Sequence, residues 1–250
     1  MTTGRQGGRG LVGDSLRWWG SYRSPGPTKI VRVALTPDSG REAAAWSLLD
    51  AGERQRCRRF LYPAPRRQFV LCRGALRAVL CVALGCDNGE LTFEFSKYGK
   101  PIPLVRGDRV AIHCNISHSG GHGLVALSHR GRVGVDVEER RPRKNLEELV
   151  ETVFGPQERA LLAGLEGQRW LDTFLSFWTG KEALAKAWGM GLRTEFSAFQ
   201  VPPEMLRGER AGLFRCPRIT NSTWRLEDIG CDDLAAAVAY EEDPEAGRES

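Results

Sequence analysis

The sequence predicts an α+β fold of two similar lobes, each a small, mainly antiparallel sheet packed with one long helix. Three observations carry this. Apolar residues recur at spacings of three and four from Arg67 to Leu84, and again from about Arg169 to Trp188. Around each of these helical stretches lie several short runs with the alternating apolar pattern of strands. The order of elements is thus repeated in the two halves without any literal sequence repeat, which points to two lobes built alike.

Taken in order, the residues up to about Thr28, including SPGPT, read as a flexible Gly/Pro-rich lead-in, with Trp18 and Trp19 available to anchor part of it. Lys29 to Leu35 (KIVRVAL) alternates as a first strand. The first helix carries Phe69, Cys72, Leu76, Val79, Leu80 and Ala83 on one stripe and stops at Gly85. Strand-like runs follow at Leu91 to Phe95, Ala111 to Ser117, Leu124 to Ser128 and Arg132 to Glu138. A charged link, EERRPRKN, opens the second half. The second helix has Trp170, Phe174, Phe177, Leu184 and Trp188 on its buried side and Gly189 as its stop. Strands are expected near Phe196 to Val201, Leu213 to Ile219, Thr223 to Ile229 and Leu234 to Tyr240. The expected division is a lead-in (1–28), an N-terminal lobe (29–132), a C-terminal lobe (133–241) and a polar, frayed tail (242–250).

Composition bounds the function classes. The 250 residues are 41% hydrophobic and 27% charged, which excludes collagenous, disordered and membrane-spanning extremes. The longest apolar run, around Ala78 to Leu84, falls far short of the roughly 20 residues of a membrane helix. The opening MTTGRQGGRG lacks the apolar segment of a secretory signal and, without an amphipathic stripe, reads as a disordered tail rather than a transit peptide. A cytoplasmic protein with no membrane partner is the expectation. The 7 cysteines are scattered without a CxxC pair, so reduced thiols are expected rather than disulfides or a zinc site. The net charge of +5 is carried mainly by arginine, which suits phosphate or acidic-protein partners and does not by itself indicate nucleic acid.

Three local patterns carry chemistry. In VGVDVE, Asp136 and Glu138 stand two apart on a strand and so share one face. A bare DxE pattern is more often surface charge, but Val133, Val135 and Val137 mark the opposite face as buried and hold the acidic pair rigidly. A rigid acidic pair invites a hard cation such as magnesium. In FWTGKEALAKAWG, Glu182 and Lys186 are spaced as an ordinary i,i+4 helix pair. Lys181 there falls within the apolar stripe, consistent with a snorkelling stem or a phosphate-facing ammonium. In NISHSG, Ser117 and His118 end a strand before a glycine turn whose amide groups make an anion-binding concavity; no nucleophile elbow or acid completes a hydrolase triad. His113, His122 and His129 are read as structural. Arginines 54, 56, 58, 59, 66, 67, 73 and 77 cluster around the first helix, a pattern usually meaning a solvated face but, beside such carboxylates, resembling a phosphate grip.

Taken together, YGKP (Tyr98 to Pro101), NISHS (Asn115 to Ser119), VGVDVE (Val133 to Glu138) and FWTGKEALAK (Phe177 to Lys186) resemble, in this order, the motifs of the 4′-phosphopantetheinyl transferase superfamily. The resemblance is to its larger, two-lobed type, which activates peptide and polyketide synthetases, and it spans roughly Arg54 to Leu192. It implies the phosphopantetheinyl transferase fold, with Asp136, Glu138 and Glu182 as ligands of Mg2+ or Mn2+. It implies that Glu182 or a metal-held water takes the proton of the incoming serine, with Asp136, Glu182 and Lys186 forming the catalytic set and Lys186 contacting the pyrophosphate. Arg56, Lys100, Pro101, Ser117 and His118 would bind coenzyme A, His118 at its 3′-phosphate. Glu158 falls where the family carries another acidic residue near the metal. Glu53 stands where relatives place a lysine, which shifts the expected phosphate grip to Arg54, Arg66, Arg67 or Arg73.

The implied reaction is attack by a carrier-protein serine on the β-phosphorus of coenzyme A, releasing 3′,5′-ADP, by a monomer whose partners are acyl or peptidyl carrier domains of fatty acid, polyketide or nonribosomal peptide synthesis. Positioning and electrostatics dominate such chemistry, in keeping with the lack of an obvious nucleophile. The same carboxylates would serve a metal-dependent nucleotide pyrophosphohydrolase, and the arginines alone would serve an anion- or nucleic-acid-binding module.

Overall fold

A computed structural model describes residues 17–189, 195–215, 217 and 221–242. The chain runs through β1 (Trp19–Ser21), β2 (Thr28–Ala34), α1 (Ser39–Leu48), α2 (Ala51–Cys57), α3 (Pro63–Leu84), β3 (Leu91–Phe95), β4 (Pro101–Val105), β5 (Asp108–Arg109), β6 (His113–Ser119) and β7 (His122–Ser128). It continues through β8 (Val133–Glu139), α4 (Leu146–Val153), α5 (Pro156–Ala163), α6 (Gly167–Trp188), a 3-10 turn (Phe196–Ala198), α7 (Pro203–Leu206), β9 (Ala211–Arg215), β10 (Thr223–Asp228) and β11 (Leu234–Glu241). The fold is α+β, with two four-stranded antiparallel sheets ordered β1-β2-β7-β6 and β8-β11-β10-β9, and a smaller sheet β3-β4-β5.

Alternation along the strands sorts the core into three parts. Val31, Val125 and Leu127 face α3, packing with Leu71, Ala75 and Leu76. Ala235, Ala237 and Ala239 face α6, among Phe174, Leu184 and Trp188. The opposite faces of the two sheets, Ile30, Leu124 and Ala126 from one and Val133, Val135, Val137 and Val238 from the other, join in a third cluster that welds the lobes together. Burying a side chain of this size contributes roughly 1.5–3 kcal/mol, so this seam fixes the relation of β6 to β8 on which the site depends.

Both long helices end where a glycine enters the left-handed region, Gly85 at φ 64° and Gly189 at φ 75°, a conformation that costs other residues strain. The first helix begins at Pro63, a turn before the expected Arg67, because proline is tolerated in the first turn, where its missing N–H has no partner to lose. Residues 17–28, expected as lead-in, are built into the first sheet: β1 pairs with β2, and Trp18 is 2% exposed with its Nε1 donating to the Leu71 carbonyl. The strand expected at Phe196 to Val201 is instead a single 3-10 turn followed by extended chain, because the carbonyls of Phe196 and Phe199 turn inward to a buried ammonium. The run expected through Ile219 is strand as far as Arg215; its end, the first 16 residues and the tail from 243 lie outside the described residues. Among the described residues, six cysteines are free thiols, and no helix is long and apolar enough to cross a membrane.

Candidate active site

Asp136 and Glu138 lie on β8, on the face that carries Gly134, while Val133, Val135 and Val137 fill the seam behind, each at most 1% exposed. Gly134 is the position that admits α6. A Cβ there would run into the Ala183 carbonyl and the Ala187 amide, so only glycine lets helix and strand backbones touch. The close crossing brings Lys186 Nζ to 2.5 Å from Asp136 Oδ1. Glu182, one turn earlier, is 8% exposed and close enough to feel the charges of Asp136 and Glu138. Burial first, then those like charges, push the Glu182 carboxyl up to about 7 against the pull of Lys186. Burial likewise raises Asp136, opposed by Lys186 and Ser117. Its second oxygen, Oδ2, is buried and has no hydrogen-bond partner.

Strands β6 and β8 are the facing edges of the two sheets, and side chains join them. Asn115 Oδ1 accepts from the Val135 amide at 2.9 Å, Ser117 Oγ donates to Asp136 Oδ1 at 2.7 Å, and Ser119 Oγ donates to Glu138 Oε2 at 2.5 Å. Ser117 Oγ also accepts from Lys186 Nζ at 2.9 Å. The serines expected in an anion-binding turn therefore face the acidic pair. The turn itself is occupied by protein: the Gly121 amide donates to Glu139 Oε1 at 2.8 Å, and the Glu139 carboxyl fills the space a side chain on Gly120 would need.

Beside this cluster opens a cleft of about 250 Å³ whose walls include Arg56, Arg73, Lys100, Pro101, His118 and Lys186. Five of the six residues expected to bind coenzyme A thus line it, and Ser117 does not. Lys100 Nζ donates to the carbonyls of Val133 and Lys186 at 2.8 and 3.0 Å, tying the small sheet to β8 and to the C-terminal turn of α6, where a cation meets the negative end of the helix. Burial lowers its pKa to about 8.

The basic cluster divides. Arg54 and Arg66 flank Trp46, Arg67 Nε donates to the Leu35 carbonyl, and of these arginines only Arg56 and Arg73 line the cleft. Arg73 is 5% exposed, packed against Phe93 and Phe69, with Nε and Nη1 lacking hydrogen-bond partners. Glu53 points inward, closing the capping box of α2 and pairing with Arg77 at 3.1 Å and Arg73 at 3.4 Å. Its charge is met inside the lobe by these two arginines.

Two expectations are corrected. Glu158 and Lys181, both 0% exposed, form a buried pair at 2.7 Å. Lys181 Nζ also donates to the carbonyls of Val153, Phe196 and Phe199, and Glu158 accepts from the Gly155 and Val201 amides. Lys181 therefore meets no phosphate and Glu158 no metal, because every partner the two groups have is in the interior of the second lobe. Arg143 joins the site although no motif marks it. Arg143 Nη2 reaches Glu138 Oε2 at 2.5 Å, and no spacing rule points to it, since it lies on an irregular link. Among the described residues, no group of three or more His, Cys, Asp or Glu side chains stands gathered to hold a metal ion; the carboxylates of β8 are engaged by Lys186 and Arg143 instead.

An acidic pair on a strand edge, Asp136 buried and Glu138 half-buried, is crossed by a helix with Glu and Lys one turn apart, and a basic cleft opens alongside. Residues 132–239 match the family described as the 4′-phosphopantetheinyl transferase superfamily. The 4′-phosphopantetheinyl transferase HetI of Nostoc sp. (strain PCC 7120) is 38% identical over 234 residues, 92% of this chain and 89% of the relative. A phosphopantetheinyl transferase of Thraustochytrium sp. is 30% identical over 84% of this chain and 77% of its own length. The 4′-phosphopantetheinyl transferase Sfp of Bacillus subtilis (strain 168) is 29% identical over 62% of this chain and 66% of its own. The chain belongs to the 4′-phosphopantetheinyl transferase superfamily and is an enzyme of that class.

Proposed function

We propose that this enzyme transfers the 4′-phosphopantetheine group of coenzyme A to a serine of an acyl or peptidyl carrier domain, releasing 3′,5′-ADP, with Mg2+ or Mn2+ at Asp136, Glu138 and Glu182. The observation that carries the reading is the crossing of α6 on Gly134, which sets Glu182 and Lys186 against Asp136 at the edge of a basic cleft. A divalent cation suits the donor set. Asp136 Oδ2 is a buried oxygen without a donor, and burial and two neighbouring carboxylates raise the Glu182 carboxyl to about 7, conditions that a hard, oxygen-seeking cation relieves. When bound there it would neutralise charge on the pyrophosphate and on the departing 3′,5′-ADP.

The protein's own groups then have distinct tasks. Arg56, Lys100, Pro101 and His118 line the cleft and hold the nucleotide end of the substrate, with Arg73 as a further cation in its wall. Lys186 approaches the pyrophosphate from α6 while Ser117 steadies its ammonium. Glu182, or a water that the cation would hold, takes the proton of the serine hydroxyl. No covalent enzyme intermediate is required, since holding the hydroxyl in line with the phosphorus supplies most of the acceleration. The proposed acting unit is a cytoplasmic monomer with its lobes divided between residues 132 and 133.

The test is incubation with coenzyme A, MgCl2 and a panel of carrier domains, read by intact-protein mass spectrometry. A carrier that gains phosphopantetheine supports the proposal; free phosphopantetheine with no loaded carrier supports hydrolysis instead. Asp136→Ala and Glu182→Ala are expected to abolish loading with the circular dichroism spectrum unchanged. A folded Asp136→Ala protein loading a carrier at the parental rate would refute the assignment.

A further inference from the structure

The link that follows β8 is crowded with cations, and each of its arginines has an acidic partner. Arg140 pairs with Asp172 at 2.7 Å and Arg141 with Glu139 at 3.2 Å, both outside the cluster of Asp136, Glu138 and Glu182. Arg143 is different. Its Nη2 lies 2.5 Å from Glu138 Oε2 and 2.9 Å from Ser119 Oγ, and Ser119 donates to that same Glu138 oxygen. One oxygen of Glu138 is therefore engaged by two donors, one of them a full positive charge. On the other β8 carboxylate, Lys186 stands in the same relation to Asp136. The charges of Asp136 and Glu138 repel, and Lys186 and Arg143 offset them where the two stand on β8.

Lys186 is delivered by a packed helix, whereas the Arg143 side chain is 43% exposed on an irregular link and has room to leave. A guanidinium on a carboxylate oxygen reduces the negative potential offered to another cation and occupies the lone pair that cation would use. We propose that Arg143 is the resident counter-ion of Glu138 and competes with the divalent cation for it, so that metal loading releases Arg143. This rests on the metal role proposed above for Asp136, Glu138 and Glu182. With Arg143 in place the empty site keeps its shape, and metal alone is held weakly; phosphate oxygens arriving with the substrate then tip the exchange. A half-exposed pair of this kind is worth up to about 1 kcal/mol, which corresponds to a competition of roughly five-fold.

The test is Mn2+ titration of the full chain without coenzyme A, read as loss of the free-ion paramagnetic resonance signal, for the parent, Arg143→Ala, Arg143→Lys and Arg140→Ala. Arg143→Ala is expected to bind Mn2+ roughly five-fold more tightly, Arg143→Lys to stay near the parent, and Arg140→Ala to match it. In an Glu138→Gln background, Arg143→Ala should bring no gain, because the competition runs through that carboxylate. Equal or weaker Mn2+ binding by a folded Arg143→Ala protein overturns the proposal. Asp136→Asn separates this from the underlying reading. If Asp136→Asn loses Mn2+ while Arg143→Ala equals the parent, the counter-ion role alone fails; if Asp136→Asn binds like the parent, or the parent binds none, the metal site fails with it.

Discussion

Replacing Gly134 by alanine tests the geometry on which the proposed chemistry depends. The added Cβ would stand 3.0 Å from Ala187 Cα and closer still to the Ala183 carbonyl and the Ala187 amide, all backbone of α6. Carbon contacts are most favourable at about 3.5–4.0 Å, so the helix has to retreat from β8 by roughly 1 Å. No flexible side chain is available to yield. Overpacking of this kind costs about 1–3 kcal/mol, which for a chain of this size lowers Tm by roughly 2–12 °C. The effect on chemistry should be larger than the effect on stability, because Glu182 and Lys186 travel with the helix while Asp136 and Glu138 stay on the strand. A displacement of about 1 Å in a reacting geometry costs on the order of 100-fold in rate. The assay pairs a thermal unfolding curve with carrier-loading kinetics at saturating coenzyme A. Parental kcat together with a parental Tm would show that α6 is not seated on β8 as described, and the argument linking the two motifs would fall.

Three further outcomes follow from particular contacts. Arg56 lines the cleft and stacks on Phe69 at 5.1 Å; Arg56→Gln should raise the KM for coenzyme A on the order of ten-fold with kcat little changed, as loss of binding common to ground and transition states does, and a fall in kcat at constant KM would contradict this. Glu158→Gln leaves the fully buried Lys181 ammonium without its counter-charge, a change costing about 3–5 kcal/mol; urea denaturation should show it, and a midpoint within error of the parent would mean the pair is not buried. Glu241 is held at about 2, from an ordinary 4.5, chiefly by Arg132 with help from Ser222. Its folded value is depressed, so its stabilisation is present above pH 4.5 and is lost as pH falls toward 2. The stability advantage of the parent over Glu241→Gln should accordingly shrink across that window, and an advantage unchanged from pH 6 to pH 2.5 would contradict the assignment.

Much of the fold was legible because the signals are local. Phe174 and Leu184 share a helical stripe, Val133, Val135 and Val137 alternate, and Gly85 and Gly189 mark stops, so the two long helices and most strands of the large sheets were placed within a few residues. The elements not foreseen, β1, α1, α2, α4, α5, α7 and the β4–β5 hairpin, are short and are held by tertiary contacts more than by pattern; Trp18 was legible as an anchor, but its partner, the Leu71 carbonyl 53 residues away, was not. The pairing of Lys181 with Glu158 was hidden for the same reason. A lysine on an apolar stripe does not reveal whether it faces a ligand or a buried carboxylate from another helix.

Residue order alone puts Asp136 and Glu138 on one face of a strand backed by valines, since side-chain alternation is a property of any extended chain. It also determined that Glu182 and Lys186 lie one turn apart on a helix. That these two pairs meet is a matter of packing between distant elements. Lys186 is separated by 50 residues from Asp136 and by 69 from Ser117, and their approach depends on a glycine that lets two backbones touch and on an apolar seam that aligns two sheet edges. The same holds for Arg143, whose place on Glu138 is set by the path of an irregular link. Periodicity fixes which way a side chain points along its own element, but which element it points at depends on how the apolar faces pack together.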